Sequence, residues 1–137
     1  MVLDSKKLEY YEKKYERNPL EDITKYISNK WTLHVIRDLF LGKSHFNEFK
    51  TNRPSLDNKA LSRCLKTMQE NGLIYKTNES DDPKNTEYFL TKKGKSFNKV
   101  FYELLLFAIE NDADNEHYTD HEKIELKEMY KEILRIE

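Results

Sequence analysis

The sequence predicts a mainly α (α+β) fold, a winged helix-turn-helix with a β-hairpin wing and flanking N- and C-terminal helices. Three observations predict it. An amphipathic segment, KWTLHVIRDLF, is followed by a short FNEF turn and then by LSRCLKTMQENG, a helix with a basic outer stripe. Two strand-like runs, LIYKT and EYFLT, then stand either side of the polar, proline-containing loop NESDDPKNT. Residues 43–99 carry 12 basic and 7 acidic groups, a net of +5, although the whole chain carries −1. Such a scaffold serves mainly to place one helix in a DNA groove.

Taken in order, residues 5–17 set Leu8, Tyr11 and Tyr15 at i, i+3 and i+7, a narrow stripe on an otherwise charged helix. A stripe that narrow does not stabilise an isolated helix, so it must pack on another element or another subunit. Asn18-Pro19 breaks the helix, and Ile23, Tyr26 and Ile27 open a second apolar face. From Trp31 to Phe40 more than half of the helix surface is apolar, which predicts a core helix ended by Gly42 as a C-cap.

Ser44 precedes a short helix with Phe46 and Phe49 three apart, and TNRPSLDN forms the turn. Asp57 is placed to N-cap the next helix by accepting from the N–H groups of Lys59 and Ala60. There Leu61, Leu65 and Met68 face inward and Lys59, Ser62, Arg63 and Lys66 outward, with Asn71-Gly72 as the left-handed exit. After the hairpin, Thr91 caps a final domain helix that is apolar nearly all round, more than one subunit could cover. Beyond NDADNEH, Thr119 and Glu122 fit a capping box for an amphipathic helix carrying Leu126, Met129, Tyr130 and Ile133.

The bulk properties agree with one domain and its flanks among 137 residues: an N-terminal dimerisation helix (1–18), a winged helix-turn-helix DNA-binding domain (19–94), and a C-terminal dimerisation helix with an acidic helical extension (95–137). No apolar run reaches 18 residues and the N-terminus is charged, so a soluble, cytoplasmic protein is expected. The single cysteine, Cys64, excludes an internal disulfide, and no cofactor or metal is expected. His117 and His121 stand four apart, but no third ligand accompanies them.

At this point the residues resemble the HxlR-type branch of winged helix-turn-helix regulators, related in architecture to the MarR group. KWTLHVIRDL, FNEF, LSRCLKTMQENGLI and EYFLTKKGK carry the resemblance in one register, over roughly residues 18–110. It implies a DNA-binding homodimer joined through its terminal helices, one that represses or activates genes in response to a small molecule or an oxidising or electrophilic signal. Many such proteins carry Cys-Pro before the second helix, where this chain has Asn18-Pro19. The extension from Asp112 also exceeds the family pattern.

The expected function is sequence-specific double-stranded DNA binding by a transcriptional regulator. The recognition helix (57–71) would enter the major groove through Asn58, Lys59, Ser62, Arg63 and Lys66, with Arg63 able to pair bidentately with guanine. The wing (77–87) would lie near the minor groove with Lys84 as its contact, against the opposing charges of Glu79, Asp81 and Asp82. A homodimer interface is expected from Leu8, Tyr11, Tyr15, Phe97, Phe101, Leu104, Leu105 and Ala108, and a small apolar effector pocket between the terminal helices and the Trp31 helix. Cys64, beside the buried stripe, reads first as a small core residue and second as a redox switch. Operator, effector and direction of regulation are not encoded legibly. An enzyme is not supported, because no nucleophile, base and orienting residue can be grouped. Two alternatives stay open: a winged-helix protein-interaction module, and an architectural DNA binder without operator specificity.

Overall fold

The computed structural model describes residues 4–77 and 85–137. Helix α1 (Ser5–Lys14) is N-capped by Asp4, which accepts from the Lys7 N–H at 2.8 Å, and none of its residues is buried. It ends three residues before the expected position 17. Asn18 is extended ahead of proline and caps the next helix through Leu20 N–H at 2.9 Å, so the intervening residues cannot remain helical. Pro19 opens α2 (Pro19–Ile27), where its missing N–H costs nothing. Ile23, Tyr26 and Ile27 pack against the core.

Helix α3 (Thr32–Phe40) buries Val35 and Ile36 completely. It closes at Gly42 (φ +94°), where the N–H groups of Gly42 and Lys43 bond back to Leu39 and Asp38 carbonyls. The FNEF segment is a 3₁₀ turn (Phe46–Lys50) capped by His45. Glu48 accepts from the N–H groups of His45 (2.9 Å) and Ser44 (3.2 Å), which hold its carboxyl below the usual range.

Helix α4 (Asn58–Glu70) starts at Asp57, whose carboxylate accepts from Ala60 N–H at 2.7 Å. Its inward stripe of Leu61, Cys64, Leu65 and Met68 is buried. The exit is the paired-bond helix end expected at Asn71-Gly72, with Gly72 at φ +73° and bonds from Gly72 to Gln69 and from Leu73 to Met68. Strands β1 (Ile74–Lys76) and β2 (Tyr88–Leu90) pair antiparallel with Ile74 opposite Leu90 and Tyr75 opposite Phe89. Alternation sends Ile74 and Leu90 into the core and leaves Tyr75 and Phe89 on the outer face. Tyr88 N–H bonds to Ser44 O at 2.8 Å, which ties the hairpin to the segment after α3.

The single helix expected from Thr91 is two. Thr91 caps α5 (Lys92–Lys95), and α6 (Asn98–Glu110) resumes after Ser96-Phe97. Thr91 donates its hydroxyl to Gly72 O (2.6 Å) and its N–H to Leu73 O (3.0 Å), pinning α5 on the exit of α4. Helix α7 (Asp120–Ile133), begun by the Thr119–Glu122 capping box, lies along α6. Leu134 is fully buried, a contribution of about 1.5–3 kcal/mol. Asn98 donates to Leu134 O at 2.8 Å and Arg37 Nε to the Tyr130 hydroxyl at 3.1 Å, so the acidic extension is fastened to its own chain.

Candidate nucleic-acid interface

One face of α4 is the candidate surface. Because Leu61, Leu65 and Met68 must point inward, the 3.6-residue period leaves Lys59, Ser62, Arg63 and Lys66 on the opposite side, and all four are exposed. None has a side-chain partner among the described residues. Acidic side chains are absent from the helix until Glu70. Asn58, also exposed, differs: its amide oxygen accepts from Lys50 Nζ. Lys50 sits on the 3₁₀ turn, and sequence reasoning missed it because three-residue spacing identifies only the buried Phe46 and Phe49 side. It adds a cation beside the start of α4.

Immediately ahead of α4 stands an ion pair that the sequence did not announce. Asp38, fully buried on α3, is held by both guanidinium nitrogens of Arg53, which also donates to Phe49 O at 2.7 Å. Arg37 (3.7 Å) and Lys43 (3.8 Å) also approach Asp38. Arg53 belongs to the TNRPSLDN turn read as merely polar, and it locks that turn against α3 immediately ahead of α4.

Cys64 lies against Thr32 Oγ1 and Met68 Sδ, both 3.8 Å away, and burial pushes its thiol up while the Thr32 contact works the other way. The thiol is therefore held in its unreactive form. Lys84, the expected wing contact, lies outside the described residues, as do Glu79, Asp81 and Asp82. Either side of them, Thr77 N–H continues the hairpin to Glu87 O at 3.0 Å.

The residues expected at a subunit interface divide. Leu8 is 47% exposed, Tyr11 41%, Tyr15 60% and Leu104 41%; Ala108 is exposed and Leu105 half-buried. Phe97 and Phe101 are instead buried in the core of their own chain. Besides Leu104, α6 exposes Val100 and, most of all, Phe107 (71%), one of the aromatics that the sequence also assigns to a dimer interface. α7 covers one flank of α6, and this stripe stays exposed, as expected of a helix that one subunit could hardly cover.

A groove of about 460 Å³ runs between α3, α6 and α7, floored by Leu33, Phe101 and Leu105 and edged by His34, Arg37 and Tyr130. Partial burial pushes His34 down, and Arg53 adds to that, so the imidazole is neutral at pH 7. Among the described residues no three His, Cys, Asp or Glu side chains are grouped to hold a metal ion, and no helix is long and apolar enough to cross a membrane.

Comparison with known proteins points the same way. The HxlR-like helix-turn-helix family matches residues 26–116. The HTH-type transcriptional regulator YdzF of Bacillus subtilis is 31% identical over 87 residues, 63% of this chain and 80% of its own. YodB of the same organism, also an HTH-type transcriptional regulator, is 26% identical over 89 residues, 65% and 80% of the two chains. Among solved structures, a MarR-family regulator of Porphyromonas gingivalis superposes with a TM-score of 0.57 at 29% identity over 71% of this chain and 95% of that one. The redox regulator HypR in its oxidised form superposes at 0.60 over 69% and 97%, and at 24% identity it shows the fold alone.

Proposed function

We propose, on the premise that this chain belongs to the HxlR-like helix-turn-helix family and is a transcriptional regulator, that it binds a specific double-stranded operator as a cytoplasmic homodimer. The family is one of regulators, not enzymes. In this reading α4 enters the major groove, with Arg63 and Ser62 reading base edges and Lys59, Lys66 and Lys50 meeting phosphates. The wing follows toward the minor groove. What carries the reading is the face of α4: four exposed polar or cationic side chains, unpartnered among the described residues, on a helix whose other face is locked into the core.

Exposed apolar stripes support the homodimer. Two reading helices must be held at a set spacing to read a two-fold site, and the exposed stripes of α1 (Leu8, Tyr11, Tyr15) and α6 (Val100, Leu104, Phe107) are the apolar surfaces available for this. The groove between α3, α6 and α7 is where a small apolar effector would act, since its walls include both the stripe helix and the helix that braces α4. Selection from random duplex DNA tests the whole reading. A two-fold site with half-sites about 10 bp or a multiple apart is expected. Retention of random DNA with no enriched site would leave an architectural binder, and no salt-dependent retention at all would leave a protein-interaction module.

A further inference from the structure

The outer face of the wing carries a feature that the α4 reading does not use. Tyr75 and Phe89, cross-strand neighbours, are 50% and 36% exposed, with ring centroids 5.8 Å apart and planes tilted by 35°. They form one wall of a cavity of about 150 Å³ completed by Leu39 and Phe40, with Lys43, Lys95 and Arg135 around it. No acidic side chain lines this cavity. Lys95 and Arg135 have no ion-pair partner among the described residues, and Lys43 only shares Asp38, at 3.8 Å, with the guanidinium of Arg53.

From this we infer a second nucleic-acid site, one for single strands: an unpaired base stacks on the Tyr75–Phe89 platform while Lys43, Lys95 and Arg135 take the adjoining phosphates. Exposed aromatic rings with a cationic border are the chemistry that holds single-stranded DNA or RNA, because every base offers a π face and every linkage a charge. The cavity's size favours this over an acidic peptide. It is well below the roughly 300–1,000 Å³ of drug-sized ligand sites and has room for one flat ring rather than a run of side chains. A duplex could not use it, since paired bases do not present their faces. None of Lys59, Ser62, Arg63 or Lys66 lines it, so the two sites are separable.

The test is fluorescence anisotropy of the full chain with a fluorescein-labelled dT12 and with an abasic 12-mer of equal charge. Binding of dT12 about tenfold tighter or more is expected, from stacking alone. Tyr75→Ala with Phe89→Ala should abolish that difference. The single variant Tyr75→Ala, at a half-exposed site, should lower it with an unchanged melting temperature, which guards against a loosened wing. Lys95→Glu should weaken both ligands and reduce their salt dependence. Arg63→Ala with Lys66→Ala should damage duplex binding and spare dT12, so failure of the operator reading and failure of this one are told apart. The inference is overturned by equal affinity for dT12 and the abasic strand, by aromatic variants that bind dT12 as the parent does, by oligo-glutamate displacing dT12 as well as unlabelled dT12 does, or by AMP binding as tightly as the oligonucleotide.

Discussion

A Cβ atom on Gly94 would lie 2.1 Å from the carbonyl oxygen of Leu73. This contact sets α5 against the exit of α4, so the wing and α4 are joined through a position that admits no side chain. The atom met is backbone and cannot swing aside. Gly94→Ala should therefore cost about 2 kcal/mol, because overpacking of up to about 3 kcal/mol is only partly offset by the better helix propensity of Ala, about 1 kcal/mol. Urea unfolding with an unchanged m-value checks it. Gly42, with φ +94° and nothing within 4 Å, should show only the conformational cost of about 1–2 kcal/mol when changed to Ala.

Removing Arg53 takes both hydrogen bonds from the fully buried Asp38 carboxylate and leaves it only the looser approaches of Arg37 and Lys43. Arg53→Ala should cost about 3–5 kcal/mol, while the double variant Arg53→Met with Asp38→Leu should recover most of it, since both charges are then gone. Thermal unfolding of the three proteins measures this. A single variant as stable as the parent would show that the pair is not what locks the turn.

Arg63→Ala should relax sequence preference at one base-pair position of the selected site and cost about 1–3 kcal/mol of binding there. Lys66→Ala should instead weaken all sequences alike and lower the salt slope by about one. Binding titrations on the selected operator at several salt concentrations, alongside repeated selection, separate base reading from phosphate contact.

Phe107, 71% exposed in the single chain, is the residue on which the dimer hypothesis is easiest to test. Phe107→Glu should convert a dimer to a monomer in sedimentation and lose the two-fold site while keeping the helical circular dichroism. A parent chain that sediments as a monomer at micromolar concentration would remove the basis for a two-fold operator.

Acid should loosen the α6–α7 link. Burial opposes the charged form of Asp112, but hydrogen bonds from the N–H groups of Tyr118 (2.9 Å) and His117 (3.0 Å), with Lys123 nearby, outweigh it and lower its pKa below the ordinary 3.8. A folded-state pKa below the unfolded one means stability fully present above about 3.9 and lost as pH falls through the lower folded value. Hydrogen exchange in α7 should therefore rise below pH 4, and Asp112→Asn should flatten that acid limb.

Asp57, Thr119 and Gly72 were legible because capping and left-handed exits are settled within a few residues. The inward and outward faces of α4 were legible because one period decides both. The Asp38–Arg53 pair was not, since fifteen residues and a turn separate its members and nothing local requires them to meet. Nor was the fate of Phe97 and Phe101, because an all-round apolar helix has no preferred face until its neighbours are in place.

By itself, then, the sequence determined the order of elements, their caps, and which side chains of α4 face water, because helical periodicity and terminal hydrogen bonds act over one or two turns. Only the tertiary structure decided how the surplus apolar surface is shared. It folded α7 back along α6, drew Phe97 and Phe101 into the core, and left Phe107 on the outer stripe and Tyr75 with Phe89 on the wing. Burial of apolar surface is non-directional, so which partner covers which face is chosen by the packing of the whole chain and not by any segment of it.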